Sequence, residues 1–197
     1  MTAGACRLRA GVLSLQGDIS EHAGALREAG ADDVVRVRRP AELDGVAALV
    51  LPGGESTTIG RLLAEYGLDI AIRRRVGEGM PVFGTCAGMI LLADEVVDFA
   101  QPGLGLLPVR VRRNAYGRQV DSFEVRLEAP KVASAPIEAV FIRAPWVESV
   151  GPGVDVLARY EGRVVLCQQD RVLAASFHPE LTRDRSLHRY FLSLASA

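Results

Sequence analysis

Cys86 stands at the centre of Gly84-Thr85-Cys86-Ala87-Gly88, directly after the apolar run Pro81-Val82-Phe83 and before Met89-Ile90-Leu91-Leu92-Ala93. This pattern reads as a strand, a sharp turn and a helix. It is a Gly-x-nucleophile-x-Gly elbow with cysteine where serine often stands. Such a turn confines the chain to an α/β architecture. The apex backbone is strained, and the flanking positions lie too close to the adjoining strand and helix for a side chain. A thiol at this apex lies at a helix N-terminus, whose partial positive charge suits a sulfur anion.

The first half of the chain agrees with that reading. Apolar strand patterns cover 12–15, 34–37, 46–51 and 81–83. Helix patterns cover 21–29, stopped by Gly30, then 57–66 and 68–76, separated by Gly67. Strands and helices alternating at such short intervals imply right-handed βαβ units and a parallel sheet. In the second half, short β-like runs at 109–112, 123–127, 139–142, 154–160, 163–166 and 172–176 are broken by Gly and Pro, with a hairpin turn at Gly162 and a closing helix over 183–194. The expected fold is a three-layer, mixed, mostly parallel α/β sheet with helices on both faces, formed by residues 1–197 as one domain.

The charge balance, 23 basic against 24 acidic residues, gives no electrostatic reason to expect nucleic acid or an anionic membrane as partner. No apolar stretch reaches the roughly 18 residues needed to span a bilayer, and residues 1–10 lack the apolar core of a signal peptide. A cytoplasmic location is expected. Cys6, Cys86 and Cys167 are odd in number and widely spaced, which suits a reducing compartment and forms neither a disulfide framework nor a metal site. For Cys6 and Cys167 the expected role is that of a small buried hydrophobe.

A thiol nucleophile needs a base, and the chain holds three histidines. His22 and His188 fall within helix patterns and read as helix-surface residues. His178 follows the apolar run Leu173-Ala174-Ala175-Ser176-Phe177 and opens His178-Pro179-Glu180. In an open α/β sheet, chemistry gathers beyond the carboxyl ends of strands. Both Cys86 and His178 fall there. Pro179 drives His178 toward an extended backbone, in which residues two apart project to the same side. Glu180 is then placed to orient the imidazole, completing a nucleophile, base and acid from Cys86, His178 and Glu180.

An attacking thiolate also needs donors for the oxyanion it creates. Leu51-Pro52-Gly53-Gly54-Glu55-Ser56-Thr57 joins the third strand to a helix, with Ser56 or Thr57 expected as its N-cap. Ala87 N–H, beside the nucleophile, and the Gly53-Gly54 turn are the candidate donors; an ordinary strand-to-helix turn is the alternative reading. Neither Gly-x-x-x-x-Gly-Lys-Ser/Thr nor Gly-x-Gly-x-x-Gly occurs, so a phosphate loop is not indicated.

These motifs resemble the class I, triad-type glutamine amidotransferases. Further blocks resemble the family of glutaminase subunits of pyridoxal 5′-phosphate synthase: Leu15-Gln16-Gly17-Asp18, the Leu51–Ile59 and Phe83–Ala93 segments, Arg112-Arg113-Asn114-Ala115-Tyr116-Gly117, Phe141-Ile142-Arg143-Ala144-Pro145-Trp146 and Phe177-His178-Pro179-Glu180. The resemblance runs from about Gly11 to Phe191; Leu166-Cys167-Gln168-Gln169-Asp170 departs from it. It implies hydrolysis of L-glutamine through a Cys86 thioester, with ammonia passed to a separate synthase subunit and no cofactor or metal in this chain. It places glutamine binding on Gly54, Glu55, Ser56, Arg113, Ile142 and Arg143. A guanidinium suits the substrate carboxylate, so Arg113 or Arg143 is its partner, while Arg112 and Arg118 read as surface charges without one. Glu55 meets the substrate ammonium or positions the oxyanion turn. The resemblance also implies weak activity alone, for which the paired glycines offer a cause: a peptide whose N–H points away until the partner turns it. Gln16 and Asp18 are candidates for the partner-facing surface. A cysteine hydrolase of other amides and a non-catalytic subunit are the two rival readings.

Overall fold

The computed structural model describes residues 7–97, 99–113 and 122–195. Cys6 and the whole of residues 114–121, Arg118 among them, lie outside them. Four parallel strands form the centre of the sheet: β1 (Arg9–Leu13), β3 (Ala48–Leu51), β4 (Val82–Thr85) and β12 (Val172–Ala175). Beyond β1 lies β2 (Asp33–Val37), also parallel. Beyond β12 the sheet turns antiparallel through β11 (Arg163–Gln169) and β9 (Trp146–Val150) to β6 (Leu107–Arg112), and it ends on β5 (Ala93–Val96). A further strand, β10 (Asp155–Tyr160), pairs with β11, and β7 (Ser122–Leu127) with β8 (Ile137–Ile142) forms a separate antiparallel ribbon. The sheet is thus mixed, with parallel strands at its centre, as expected.

Alternation along the central strands explains the layers. Val12, Val50 and Phe83 pack on one face, with Leu26 of α1 (Ile19–Ala29) and Phe191 of α5 (Ser186–Ser193). Leu13, Leu49, Leu51 and Val82 face the other way, against Ile59 and Leu63 of α2 (Ser56–Glu65) and Ile72 of α3 (Leu68–Gly77). Successive strand residues point to opposite faces, so two apolar cores form from one sheet. Among the described residues no helix is long and apolar enough to cross a membrane.

Several expectations need correction. The helix after the elbow, α4 (Ala87–Leu92), is short, and Ala93 already belongs to β5. Strand β9 was not read from the sequence, because Arg143-Ala144-Pro145 breaks the alternation before it. The closing helix begins at Ser186, not 183, because Asp184 Oδ1 accepts the Ser186 N–H at 2.8 Å and forms a turn first. At the 160–163 hairpin, Glu161 and Gly162 have φ of 48° and 77°, the pair of positive values that a tight β-hairpin with right-handed twist requires.

The N-cap of α2 is Glu55, not Ser56 or Thr57. Its carboxylate accepts the N–H groups of Thr57 at 3.1 Å and Thr58 at 2.7 Å. Partial burial pushes this carboxyl up, but hydrogen bonds from Thr58 and Thr57 outweigh it and hold the group at about 2.

Two outcomes follow from this packing. A Cβ on Gly88 would run into the Leu51 carbonyl, and one on Gly84 would come within 2.5 Å of the Gly88 backbone. Gly88→Ala should therefore lose about 1–3 kcal/mol or more in urea unfolding with unchanged m. Because the folded-state Glu55 carboxyl lies below its ordinary 4.5, its contribution is complete above that pH and is lost as pH falls toward 2. Glu55→Gln should flatten that limb of the stability profile by less than about 1 kcal/mol, since water screens the half-exposed carboxylate.

Candidate active site

The strands β1, β3, β4 and β12 lie side by side and run in one direction, so the loops after them open along a single edge. Those loops carry Gln16 to Asp18, Gly53 to Glu55, Cys86 and His178. Leu51 is level with Gly84, and Thr85 with Ala175, so Cys86 leaves the sheet between the other loops. Its backbone takes φ 48° and ψ −102°, outside the ordinary regions for a side-chain-bearing residue. Two bonds hold it there: Cys86 N–H donates to Ala175 O at 2.8 Å, and Ile90 N–H donates to Cys86 O at 3.3 Å. The sulfur is partly exposed, 4.0 Å from the Ile142 carbonyl at the end of the β7–β8 ribbon.

His178 is buried, and its N–H donates to Val140 O at 2.8 Å, which ties the imidazole segment to the same ribbon. Pro179 opens a short 3-10 turn over Pro179–Leu181 in place of the expected extended chain. The outcome is still the expected one, since His178 Nδ1 meets Glu180 Oε1 at 2.7 Å. Asp18 Oδ2 approaches the same nitrogen at 3.3 Å. Burial opposes charge on His178, yet hydrogen bonds with Asp18, Cys86 and Glu180 override it and push the group up to about 12. Burial pushes Glu180 up as well, and the imidazole contact opposes that shift. The structure therefore brings Cys86, His178 and Glu180 together from two strand ends that are 178 − 86 = 92 residues apart.

Asp18, His178 and Glu180 are also a cluster of metal-ligand type, with ligand atoms within 4.8 Å of one another. His178 Nδ1–H is donated to the Glu180 carboxylate at 2.7 Å, which leaves no lone pair there for a metal, so this arrangement is a hydrogen-bonded set with a second carboxylate beside it.

Gly53 sits against the imidazole, because a Cβ there would collide with His178 Cε1 and lie 2.9 Å from Asp18 Oδ2. Its carbonyl accepts the Asp18 N–H at 3.3 Å, and Gln16 Oε1 accepts the Glu55 N–H at 2.7 Å. The loop after β1 thus fixes the orientation of the Gly53-Gly54 turn. Gln16 and Asp18, the candidates for the partner-facing surface, also line the cavity over Cys86. A cavity of about 400 Å³ opens over the sulfur, and Gly54, Glu55, Ser56, Ala87, Arg113, Ile142, Arg143, Cys86 and His178 all line it. Gly53 does not line it and stands behind the imidazole.

The two arginines differ. Arg113 is held by Thr57 Oγ1 at 3.2 Å, Gln101 Oε1 at 3.1 Å and Glu55 Oε1 at 3.3 Å, with its guanidinium 4.6 Å from the centre of the Phe99 ring. Arg143 is exposed, has φ of 43°, and among the described residues its guanidinium has no hydrogen-bond or ion-pair partner. Ser56 is buried and donates its hydroxyl to Gln101 Oε1 at 3.0 Å. Arg112 is not unpartnered as expected, since its Nη2 bonds Glu148 Oε1 at 2.9 Å.

Sequence reasoning missed Gln101 and misread two histidines. His22 and His188 are fully buried, not on the surface, and they hydrogen-bond each other at 3.2 Å. The signal was present in the helical spacing: Ile19, His22, Ala23 and Leu26 share one face, as do His188, Phe191 and Leu192.

Comparison with known proteins agrees with this geometry. Residues 12–196 match the SNO glutamine amidotransferase family. A relative from Desulforudis audaxviator, a pyridoxal 5′-phosphate synthase subunit PdxT, is 54% identical over 94% of this chain and 97% of its own. One of the same description from Parafrankia sp. is 57% identical, covering 94% and 92% respectively. A crystal structure of a glutamine amidotransferase superposes with a TM-score of 0.90 at 52% identity, over 96% of this chain and all of the other. The PurLQS structure from Thermotoga maritima, at a TM-score of 0.72 and 16% identity over 95% and 98%, shares the fold. With a family model spanning nearly its whole length and relatives at more than half identity, the chain belongs to the SNO glutamine amidotransferase family.

Proposed function

We propose that this chain is the glutaminase subunit of a pyridoxal 5′-phosphate synthase, acting in the cytoplasm, where its thiol stays reduced. It hydrolyses L-glutamine and passes the ammonia to a synthase subunit. The observation that carries this reading is the Cys86–His178–Glu180 arrangement, with its 2.7 Å Nδ1···Oε1 contact, at the floor of a cavity walled by two arginines. The names of the close relatives support the choice of synthase.

The chemistry then runs as follows. Cys86 sulfur attacks the side-chain amide carbon of glutamine, and the carbonyl electron pair moves to oxygen. The N–H groups of Ala87 and of the Gly53-Gly54 turn receive that oxyanion; one such donor is worth about 100- to 1,000-fold in rate. As the carbon–nitrogen bond breaks, imidazolium His178 gives its Nε2 proton to the leaving nitrogen, so ammonia departs and a glutamyl thioester remains. Water attacks that thioester with His178 taking its proton, and glutamate leaves as the sulfur is restored. Glu180 keeps Nδ1 protonated and stabilises the imidazolium, without itself exchanging protons. Arg143, exposed and without a partner among the described residues, takes the substrate carboxylate, and Arg113, already held by three side-chain partners, forms the fixed positive wall. Gly54, Ser56 and Ile142 shape the pocket, while Glu55 acts through its cap and its contact with Arg113.

The Gly53 carbonyl is engaged by Asp18, which holds the turn in one orientation. Activity is therefore expected to be low for the isolated chain and to rise when the synthase is added. A chain that hydrolysed glutamine equally fast alone and in the complex would overturn this gating. Cys86→Ala should abolish glutamine hydrolysis by the complex while leaving synthesis from supplied ammonium intact, and Glu180→Gln should lower hydrolysis without abolishing it. Retained hydrolysis in Cys86→Ala would remove Cys86 from the role of nucleophile.

A further inference from the structure

The buried side of Glu180 faces a pair of imidazoles that the reaction above does not use. Glu180 Oε1 is occupied by His178, whereas Oε2 has no hydrogen-bond partner among the described residues. His22 Nε2 lies 3.3 Å from that oxygen and 2.9 Å from Thr85 Oγ1, the residue before Cys86. Neither His22 nor Glu180 exposes any side-chain surface. On its far side, His22 Nδ1 lies 3.2 Å from His188 Nε2, and the His188 Nδ1 beyond has no partner among the described residues.

Only one hydrogen fits between His22 and His188, so the pair has two arrangements. If His22 carried its hydrogen on Nδ1, its Nε2 lone pair would confront the lone pairs of Glu180 Oε2 at 3.3 Å with no water between them. The His188 Nδ1–H would also be left as a buried, unpaired donor, the rarer and costlier defect. If His22 carries its hydrogen on Nε2, both conflicts vanish. His188 Nε2–H then donates to His22 Nδ1, and only a lone pair on His188 is left unmet. Burial holds both imidazoles uncharged, His22 well below its ordinary value and His188 at about 4, so a neutral donor faces the carboxylate.

We propose that His22 is a positioning residue for Glu180: as the Nε2–H tautomer, set by His188, it presents its N–H to Glu180 Oε2 and Thr85 Oγ1. The carboxylate is thereby held from behind while His178 holds it in front. Because Thr85 belongs to the strand that delivers Cys86, the same imidazole ties the acid of the triad to the nucleophile's strand. Its kinetic consequence rests on the glutaminase reading; its hydrogen-bond arrangement does not.

The test has two arms. Long-range proton–nitrogen correlation spectra of the uniformly labelled chain report the tautomer of each of its three histidines, assigned with His22→Gln and His188→Gln. Expected for His22 is a neutral ring with a protonated Nε2 and a bare Nδ1. A protonated Nδ1, or a charged ring, overturns the proposal whether or not the chain acts on glutamine. In the complex with its synthase, His22→Met should lower kcat for glutamine hydrolysis by about 10- to 100-fold with KM within about 2-fold. His22→Gln, whose amide nitrogen reaches about as far as Nε2, should restore most of that loss, and His22→Asn, whose amide reaches only as far as Nδ1, should not. Alkylation of Cys86 by iodoacetamide, followed by mass spectrometry of its peptide, should rank the variants in the same order without any glutamine present. Equal rates for Gln and Met variants of matching melting temperature would reduce His22 to a packing residue. Loss of glutamine turnover in every form, with the alkylation order intact, would reject the glutaminase reading and leave the positioning role standing.

Discussion

Strand β4 is hydrogen-bonded in parallel to β3 on one side and β12 on the other, and this pairing sets the spacing of the three loops that carry Gly53 to Glu55, Cys86 and His178. A one-residue slip in either register would turn every side chain of the shifted strand to the opposite face and exchange residues between the two apolar cores. The register is therefore held by the whole interior, through Val50, Phe83 and Leu173 toward α1 and α5 and through Leu49, Leu51, Val82 and Val172 toward α2 and α3. Residues far from the sulfur fix its position relative to His178. Precision at the site is a property of sheet packing.

That precision is needed because the His178–Glu180 pair is buried. Taking a carboxylate such as Glu180 out of water is costly unless its lone pairs are met by donors. His178 meets one oxygen at 2.7 Å, and the direction of the His178 shift shows the coupling: burial alone would strip the imidazole of its proton, and the carboxylates of Glu180 and Asp18 together with Cys86 return it. A protonated imidazole beside the sulfur is the state from which thiolate attack begins. Removing either member of the buried pair leaves the other uncompensated, at a cost of about 3–5 kcal/mol, so conservative replacements are the informative ones here.

How much of this was legible in the sequence depended on whether the controlling contact was local. The elbow could be read because Gly84 and Gly88 flank Cys86 within five residues, and the imidazole–carboxylate pair because Pro179 constrains both neighbours at once. The Gly53 turn was also visible, although its reason, an imidazole pressed against the missing Cβ, comes from a residue 178 − 53 = 125 positions away. What escaped was long-range or competitive. Ser56 and Thr57 are better N-cap types than glutamate, yet Ser56 is drawn to Gln101 and the longer Glu55 side chain reaches the orphan N–H groups instead. His22 and His188 looked polar enough for a surface; the helical spacing puts each on an apolar face, but the pairing between the first and last helices that joins them is long-range.

Backbone strain at the cavity has the same logic. Cys86 and Arg143 are both side-chain-bearing residues with positive φ, and both line the cavity. A residue in a sparsely populated region costs about 1–3 kcal/mol and persists only where the surroundings over-determine it. At Cys86 they do: its N–H is bonded to β12, its carbonyl to α4, and the glycines beside it are pressed against Leu51 and the α4 backbone. Relaxing that conformation would require parting β4 from β12, which would also separate the sulfur from His178. The strain at Cys86 and the proximity of His178 are thus one constraint, and neither can be relieved without losing the other.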